Sequence, residues 1–189
     1  MVSRRAVFLD RDGVIVEDVG YLASPDRLRV LPGVPGALSL LKKAGLLRVV
    51  VTNQSGIARG YFTEDDLVSV HAELLRALAA SGAGLDAIYY CPHLENGSRR
   101  EYAAVCEGRK PGRAMLDRAA SDLDIDLAES FLVGDTLTDI EAGKAAGCRT
   151  ILVGQAAAAE DCGADASAED LRGAAQQIIE WTRSWIRSR

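Results

Sequence analysis

The sequence predicts a three-layer α/β fold built on a mainly parallel sheet, and three observations carry that prediction. Apolar runs of strand length alternate with segments whose apolar residues recur at helical spacing, from Ala6 to the C-terminus. The strand-like runs are apolar throughout, as in strands covered on both faces. Three of them stop abruptly at polar residues, before Asp10, Thr52 and Asp135, so polar loops collect at one edge of the sheet, where open α/β sheets bind ligands.

Taken in order, Ala6 to Leu9 is the first strand, and it ends in Asp10-Arg11-Asp12-Gly13. Charges cannot stay in a core, so they emerge at the strand's carboxyl end, where a period near two leans Asp10 and Asp12 to the same side. Gly13 frees the backbone to turn. A plain polar turn would read the same way in isolation. A calcium-binding EF-hand loop is excluded, because Ile15 and Tyr21 stand where glycine and glutamate are required.

Residues 17–32 lack periodicity and contain Gly20, Pro25 and Pro32, which suggests a loop folding over the mouth of the site. Val34, Ala37, Leu38, Leu41 and Ala44 form one apolar helical face closed by Gly45. Leu46 to Val51 is the second strand, followed by Thr52-Asn53-Gln54-Ser55-Gly56 as a loop. Thr63 with Asp66 three residues later marks a helix start, and Leu67, Val70, Leu74 and Leu78 follow at helical spacing until Gly82. His71 shares that face, as a packed or hydrogen-bonded histidine and not a ligand. Asp86 to Tyr90 is the third strand, and the 91–109 loop is long enough to suspect function.

Pro111 is expected in the first turn of the next helix, whose apolar side is Met115, Leu116, Ala119 and Leu123. Ser130 to Val133 is the fourth strand, leading into Gly134-Asp135 and a helix that runs to Gly147. Arg149 to Val153 is the fifth. An alanine-rich loop then reaches Ser167, read as the N-cap of a last helix that turns Leu171, Ala174, Ala175, Ile178 and Trp185 inward. One domain over residues 1–189 is expected, long enough to bury ~70% of the unfolded chain's surface.

A net charge of −5 argues against nucleic acid as a partner. No apolar run approaches the ~20 residues of a membrane span, and Asp10 interrupts the N-terminal run before it can serve as a signal segment, so a cytoplasmic location is the default and no membrane partner is expected. The cysteines are Cys91, Cys106, Cys148 and Cys162, and a reducing compartment favours metal or thiol roles over disulfides.

The sheet edge thus gathers Asp10, Asp12, Thr52, Asn53, Asp135 and Asp139, joined by Arg109 and Lys110 from the expected start of a helix. Four carboxylates in one place need positive charge, from Lys110 and from a magnesium ion held by Asp10 and Asp135. Phosphoryl transfer suits this set. Asp10, already ionised at pH 7, would attack phosphorus. Asp12, its pKa raised by neighbouring anions, would protonate the leaving oxygen and later activate water, while Lys110 and the metal hold Asp10 down. Thr52 and its loop would grip phosphate oxygens, Arg109 would clamp phosphate or sugar hydroxyls, and Asp139 would orient water or Lys110.

Four segments, Asp10-Arg11-Asp12-Gly13-Val14, Thr52 through Gly60, Arg109-Lys110-Pro111, and Gly134-Asp135 with Asp139, resemble the four motifs of haloacid-dehalogenase (HAD) superfamily phosphatases. The resemblance covers nearly the whole chain and is nearest to the heptose-bisphosphate and histidinol-phosphate phosphatases. It implies a Rossmann-like core, Asp10 as nucleophile, Asp12 as general acid/base, and magnesium on Asp10, the main chain of Asp12, and Asp135. It also implies a zinc loop. Cys91, His93 and Cys106 match its ligands, but Gly108 stands at the fourth position. Three ligands completed by water or Glu107 would bind zinc more weakly, and a loop held by packing alone is the alternative.

The segments between the polar loops are too short for a separate cap domain. Specificity then falls to the 17–32 segment and the 91–109 loop, where Arg99, Arg100 and Arg109 suit a second phosphate. That favours a bisphosphorylated sugar, and the resemblance implies that it is a heptose losing its C7 phosphate, acted on by an enzyme expected to be monomeric. Histidinol phosphate is the alternative substrate, and a phosphoacceptor signalling domain the alternative class.

Overall fold

The computed structural model describes residues 4–154 and 163–187, with side chains through 184. Among them six strands form one sheet: β1 (Ala6–Leu9), β2 (Leu47–Asn53), β3 (Ala87–Cys91), β4 (Phe131–Gly134), β5 (Arg149–Val153) and β6 (Ala166–Ala168). Their order is β3-β2-β1-β4-β5-β6 and every pairing is parallel. Consecutive strands run outward from β1 to one side and from β4 to the other, so the direction of winding reverses between β1 and β4. Loops leaving these two strands diverge to opposite faces and open a crevice at their carboxyl ends.

The helices are α1 (Val34–Lys43), α2 (Glu64–Ala80), α3 (Ala114–Leu123), α4 (Leu137–Ala145) and α5 (Leu171–Arg187). Alternation along β1 shows the layering. Val7 and Leu9 pack with Leu38 of α1, Leu74 of α2 and Ile178 of α5, whereas Ala6 and Phe8 pack with Leu116 of α3 and Ala142 of α4. Both faces are covered, which is why the strands read as continuous apolar runs.

Thr63 caps α2 as expected. Its hydroxyl accepts from Asp66 N at 3.2 Å, and the Asp66 carboxylate accepts from Thr63 N at 2.8 Å. Residues 17–32 are tied down at their ends by an antiparallel bridge between Val16 and Val30 and by Leu31 N donating to Ile15 O at 3.0 Å. Leu22 and Leu28 of this segment are buried.

Four expectations need correction. Thr52 and Asn53 belong to β2 and not to the loop after it, because they pair with Tyr90 and Cys91 of β3. Pro111 does not begin a helix. Asn53 grips the backbone of Lys110 from both sides, which holds the chain irregular until α3 starts at Ala114. Arg109 and Lys110 therefore come from a loop. Ser167 is not a cap but lies in β6, opposite Leu152. Pairing to β5, not the weak strand propensity of Ala-Ser-Ala, makes that segment a strand. Asp170 caps α5 instead, accepting from Gly173 N at 2.9 Å. The alanine-rich loop with Cys162, and the side chain of Trp185, lie outside the described residues. No helix among the described residues is long and apolar enough to cross a membrane.

Candidate active site

The chain leaves β1 with Asp10 N donating to Val133 O of β4 at 3.0 Å, so Asp10 sits at the reversal point of the winding. It then closes on itself. Ile15 N and Val16 N both donate to Arg11 O, at 2.9 and 3.0 Å. Gly13 takes φ +78°, and a Cβ there would collide with the Asp135 carboxylate. Glycine is required on both counts.

Lys110 is the hub. Its ammonium, 3% exposed, donates to Asp10 Oδ1 at 2.8 Å and to Val51 O at 2.8 Å, and pairs with Asp139 Oδ1 at 2.5 Å. Asp139 is fully buried and has a second duty at the start of α4, where its Oδ2 accepts from Thr136 N at 3.1 Å and from the Thr136 hydroxyl at 2.5 Å. It thus links Lys110 to the start of α4. A side chain on Gly134 would run into the Asp139 carboxylate.

Burial, helped by the Asp139 and Asp12 charges, pushes the Asp10 carboxyl up to about 7 despite Lys110. Lys110 pulls the Asp10 carboxyl down, in the direction expected of it, but one ammonium does not offset burial and the neighbouring carboxylates. Burial and Asp139 likewise push Asp135 up to about 6. Burial opposes the charge on Lys110, but Asp10 and Asp139 outweigh it and hold its pKa above the ordinary value. Asp10, Asp135 and Asp139 bring carboxylate oxygens within 4.8 Å of one another. Asp135 Oδ1 is buried and has no hydrogen-bond partner among the described residues. A hard divalent cation fits this oxygen set, supplying both the missing charge and the missing partner.

Asp12 is held by Arg11, whose Nη2 donates to its two oxygens at 3.0 and 2.9 Å, and by Gln54 Nε2 at 3.1 Å. The Thr52 hydroxyl, buried, accepts from Gln54 Nε2 at 2.9 Å. Asn53 is a substrate-contact candidate from the sequence. Its amide oxygen accepts from Lys110 N at 3.0 Å and its nitrogen donates to Lys110 O at 3.1 Å, so in this geometry it positions the hub. Arg109, half-buried, donates to His93 O at 3.4 Å. Arg11 and Gln54 are functional candidates that the sequence reading passed over. The signal for Arg11 in the sequence is a charged residue between two acids at a strand end.

A family model described as HAD-hydrolase-like matches residues 107–175. The D-glycero-beta-D-manno-heptose-1,7-bisphosphate 7-phosphatase of Rhodopseudomonas palustris is 44% identical over 76% of this chain and 80% of its own length. The enzyme of that name from Escherichia coli K12 is 48% identical over 77% of this chain and 76% of its own. The chain belongs to the HAD-like heptose-bisphosphate phosphatase family. Among solved structures, the D,D-heptose 1,7-bisphosphate phosphatase of B. bronchiseptica, complexed with magnesium and phosphate, superposes with TM-score 0.80 at 36% identity, covering 93% of this chain and 98% of that one.

The phosphatase's 91–109 loop is stapled to the 54–60 loop, with Arg99 N donating to Ala58 O at 2.9 Å and Ser98 Oγ to Arg59 O at 2.8 Å. The hydroxyls of Tyr90 and Tyr102 both donate to Glu64 of α2, at 3.0 and 3.1 Å. Cys91, His93 and Cys106 bring their donor atoms within 4.8 Å of one another. A Cβ at Gly108 would lie 3.4 Å from Cys106 Sγ and 4.0 Å from Cys91 Sγ, so Gly108 borders the cluster without contributing to it. Burial pushes the Cys91 thiol up to about 11. Three soft donors fit a thiophilic cation with one position left open.

Proposed function

We propose that this protein is a magnesium-dependent phosphomonoester hydrolase that removes the C7 phosphate of D-glycero-D-manno-heptose 1,7-bisphosphate through a phosphorylated Asp10. The observation that carries this reading is the buried Lys110 ammonium bridging Asp10 and Asp139, with a buried Asp135 oxygen that has no hydrogen-bond partner among the described residues. The family's named substrate supplies the sugar.

In the first half-reaction a carboxylate oxygen of Asp10 attacks phosphorus, the bond to the C7 oxygen breaks, and Asp12 gives that oxygen its proton. Water then attacks the aspartyl phosphate while Asp12 takes its proton. The bond to Asp10 breaks, inorganic phosphate leaves, and the net change is hydrolysis. Thr52 and the amides of the following loop face phosphate oxygens. Lys110 keeps Asp10 directed by its short contact. Asp10, the main-chain carbonyl of Asp12, and Asp135 would hold the metal. Magnesium bound there lowers the charge on phosphate and keeps Asp10 ionised.

Arg99, Arg100 and Arg109 on the 91–109 loop would receive the second phosphate. Zinc on Cys91, His93 and Cys106 would stiffen that loop, the open position at Gly108 taking water or Glu107. The enzyme acts as a cytoplasmic monomer of one domain over residues 1–189. Turnover of heptose bisphosphate, as both anomers, against histidinol phosphate tests the substrate. A clear preference for histidinol phosphate sinks the assignment. Asp10→Asn should abolish magnesium-dependent release, and wild-type speed in that variant sinks the mechanism.

A further inference from the structure

Arg11 has 1% of its surface exposed, which makes it the largest fully buried side chain described. A buried guanidinium needs acceptors for its five N–H groups, and it has none to offer in return. Nε and Nη2 serve Asp12, and Nη2 also donates to Gln54 Oε1 at 3.1 Å. Nη1 lies 3.2 Å from His71 Nε2. Because guanidinium only donates, Nε2 of His71 must present a lone pair, which puts the ring proton on Nδ1.

Arg11 and Asp12 are chain neighbours. Their fork alone would move as one unit with the loop that carries it. Among the described residues, side-chain bonds tie that unit to the scaffold at two places: Gln54, which accepts from Arg11 Nη2, donates to Asp12 Oδ2 at 3.1 Å and is itself bonded to Thr52 in β2, and His71, in the middle of α2. α2 is a rigid base here, with Leu67, Val70 and Leu74 buried around His71 and the Tyr90 ring edge-on to the imidazole at 6.0 Å between centroids. Burial and the Arg11 charge keep the imidazole neutral, pushing its pKa down to about 4.

We infer that His71 is a positioning residue: by accepting from Arg11 it fixes the guanidinium fork that aims the Asp12 carboxylate. The inference rests on Asp12 being the proton donor and acceptor of the proposed reaction. A misaimed Asp12 slows the transfer of a proton to the leaving oxygen and, after the leaving group has gone, the removal of a proton from water. A sugar alkoxide needs that proton, whereas nitrophenolate leaves without it. kcat/KM reports the steps up to departure of the leaving group, so the two substrates separate this role from general loss of fold.

The test compares heptose 1,7-bisphosphate with p-nitrophenyl phosphate in His71→Leu, His71→Gln and Asp12→Asn. His71→Leu should lower kcat/KM about tenfold on the sugar ester and less than about threefold on the aryl ester, since small misplacements of an acid are costly. His71→Gln, which can return an acceptor to the same place, should recover most of the loss. If thermal unfolding shows that His71→Leu does not fold, His71→Asn, polar but a methylene shorter than Gln, takes its place. Equal losses on both esters, or no recovery in His71→Gln, overturn the inference while leaving the mechanism standing. Wild-type rates on the sugar ester in Asp12→Asn bring down the acid/base reading itself, and this inference with it.

Discussion

Replacing Lys110 with methionine keeps the length of the side chain and removes its charge. The ammonium it removes sits 2.8 Å from Asp10 and 2.5 Å from Asp139, and Asp139 has no solvent exposure. Breaking a buried ion pair from one side costs about 3–5 kcal/mol, because a desolvated charge is left without a partner. Asp10 already sits near pKa 7 with Lys110 present, and loss of the ammonium carries it higher. A carboxyl whose folded pKa exceeds its ordinary 3.8 contributes stability that is fully present below that value and lost as pH rises through the folded one. The deficit of Lys110→Met should therefore be about 4 kcal/mol at pH 8 and smaller by about half near pH 5, where the fold keeps the proton at little cost. Urea unfolding of both proteins at the two pH values, with and without magnesium, measures it, and magnesium should restore part of the loss at pH 8. A variant within about 1 kcal/mol of wild type at pH 8, or a deficit that grows toward pH 5, refutes Lys110 as the charge that holds the carboxylates together.

Other consequences follow from single positions. Gly108→Cys places a thiol beside Cys91 and Cys106, and if four ligands share the ~10–16 kcal/mol of a structural zinc site, the added one should tighten zinc by roughly a hundredfold or more in a competition titration; unchanged affinity rejects the cluster as a metal site. Gly13→Ala should abolish activity, since the strain of φ +78° and the collision with Asp135 disturb the proposed metal ligand directly, and full activity would show that the loop's conformation is not needed. Thr63→Ala should cost about 1 kcal/mol through loss of the α2 cap, read as a lower urea midpoint. His71 faces Arg11 and Tyr90, the latter bonded to Glu64, and is neutral in the fold. Its stabilisation is full above pH 6.5 and lost as pH falls through about 4, up to about 3 kcal/mol, a slope that His71→Gln should flatten in acid denaturation and that, if unchanged, excludes His71 as its source.

Much of this protein was legible in its residue order. Continuous apolar runs alternating with helical periodicity determined a sheet buried on both faces, and runs cut off at Asp10 and Asp135 determined which end of it is polar. The Thr63–Asp66 cap was local, and so readable. Contacts between distant segments were not. Asn53 gripping the Lys110 backbone across 57 positions is one such contact. β6 exists because β5 offers it hydrogen bonds, which no property of Ala-Ser-Ala announces. The tie from Arg11 to His71 joins a loop to a helix 60 positions away, and the proximity of Asp10, Asp135 and Asp139, which lifts two carboxyls well above their ordinary range, depends on burial that only the assembled layers create. Periodicity and capping are short-range and are written in neighbouring residues. Charge coupling and shared hydrogen bonds depend on distance in space, which the packed chain alone sets.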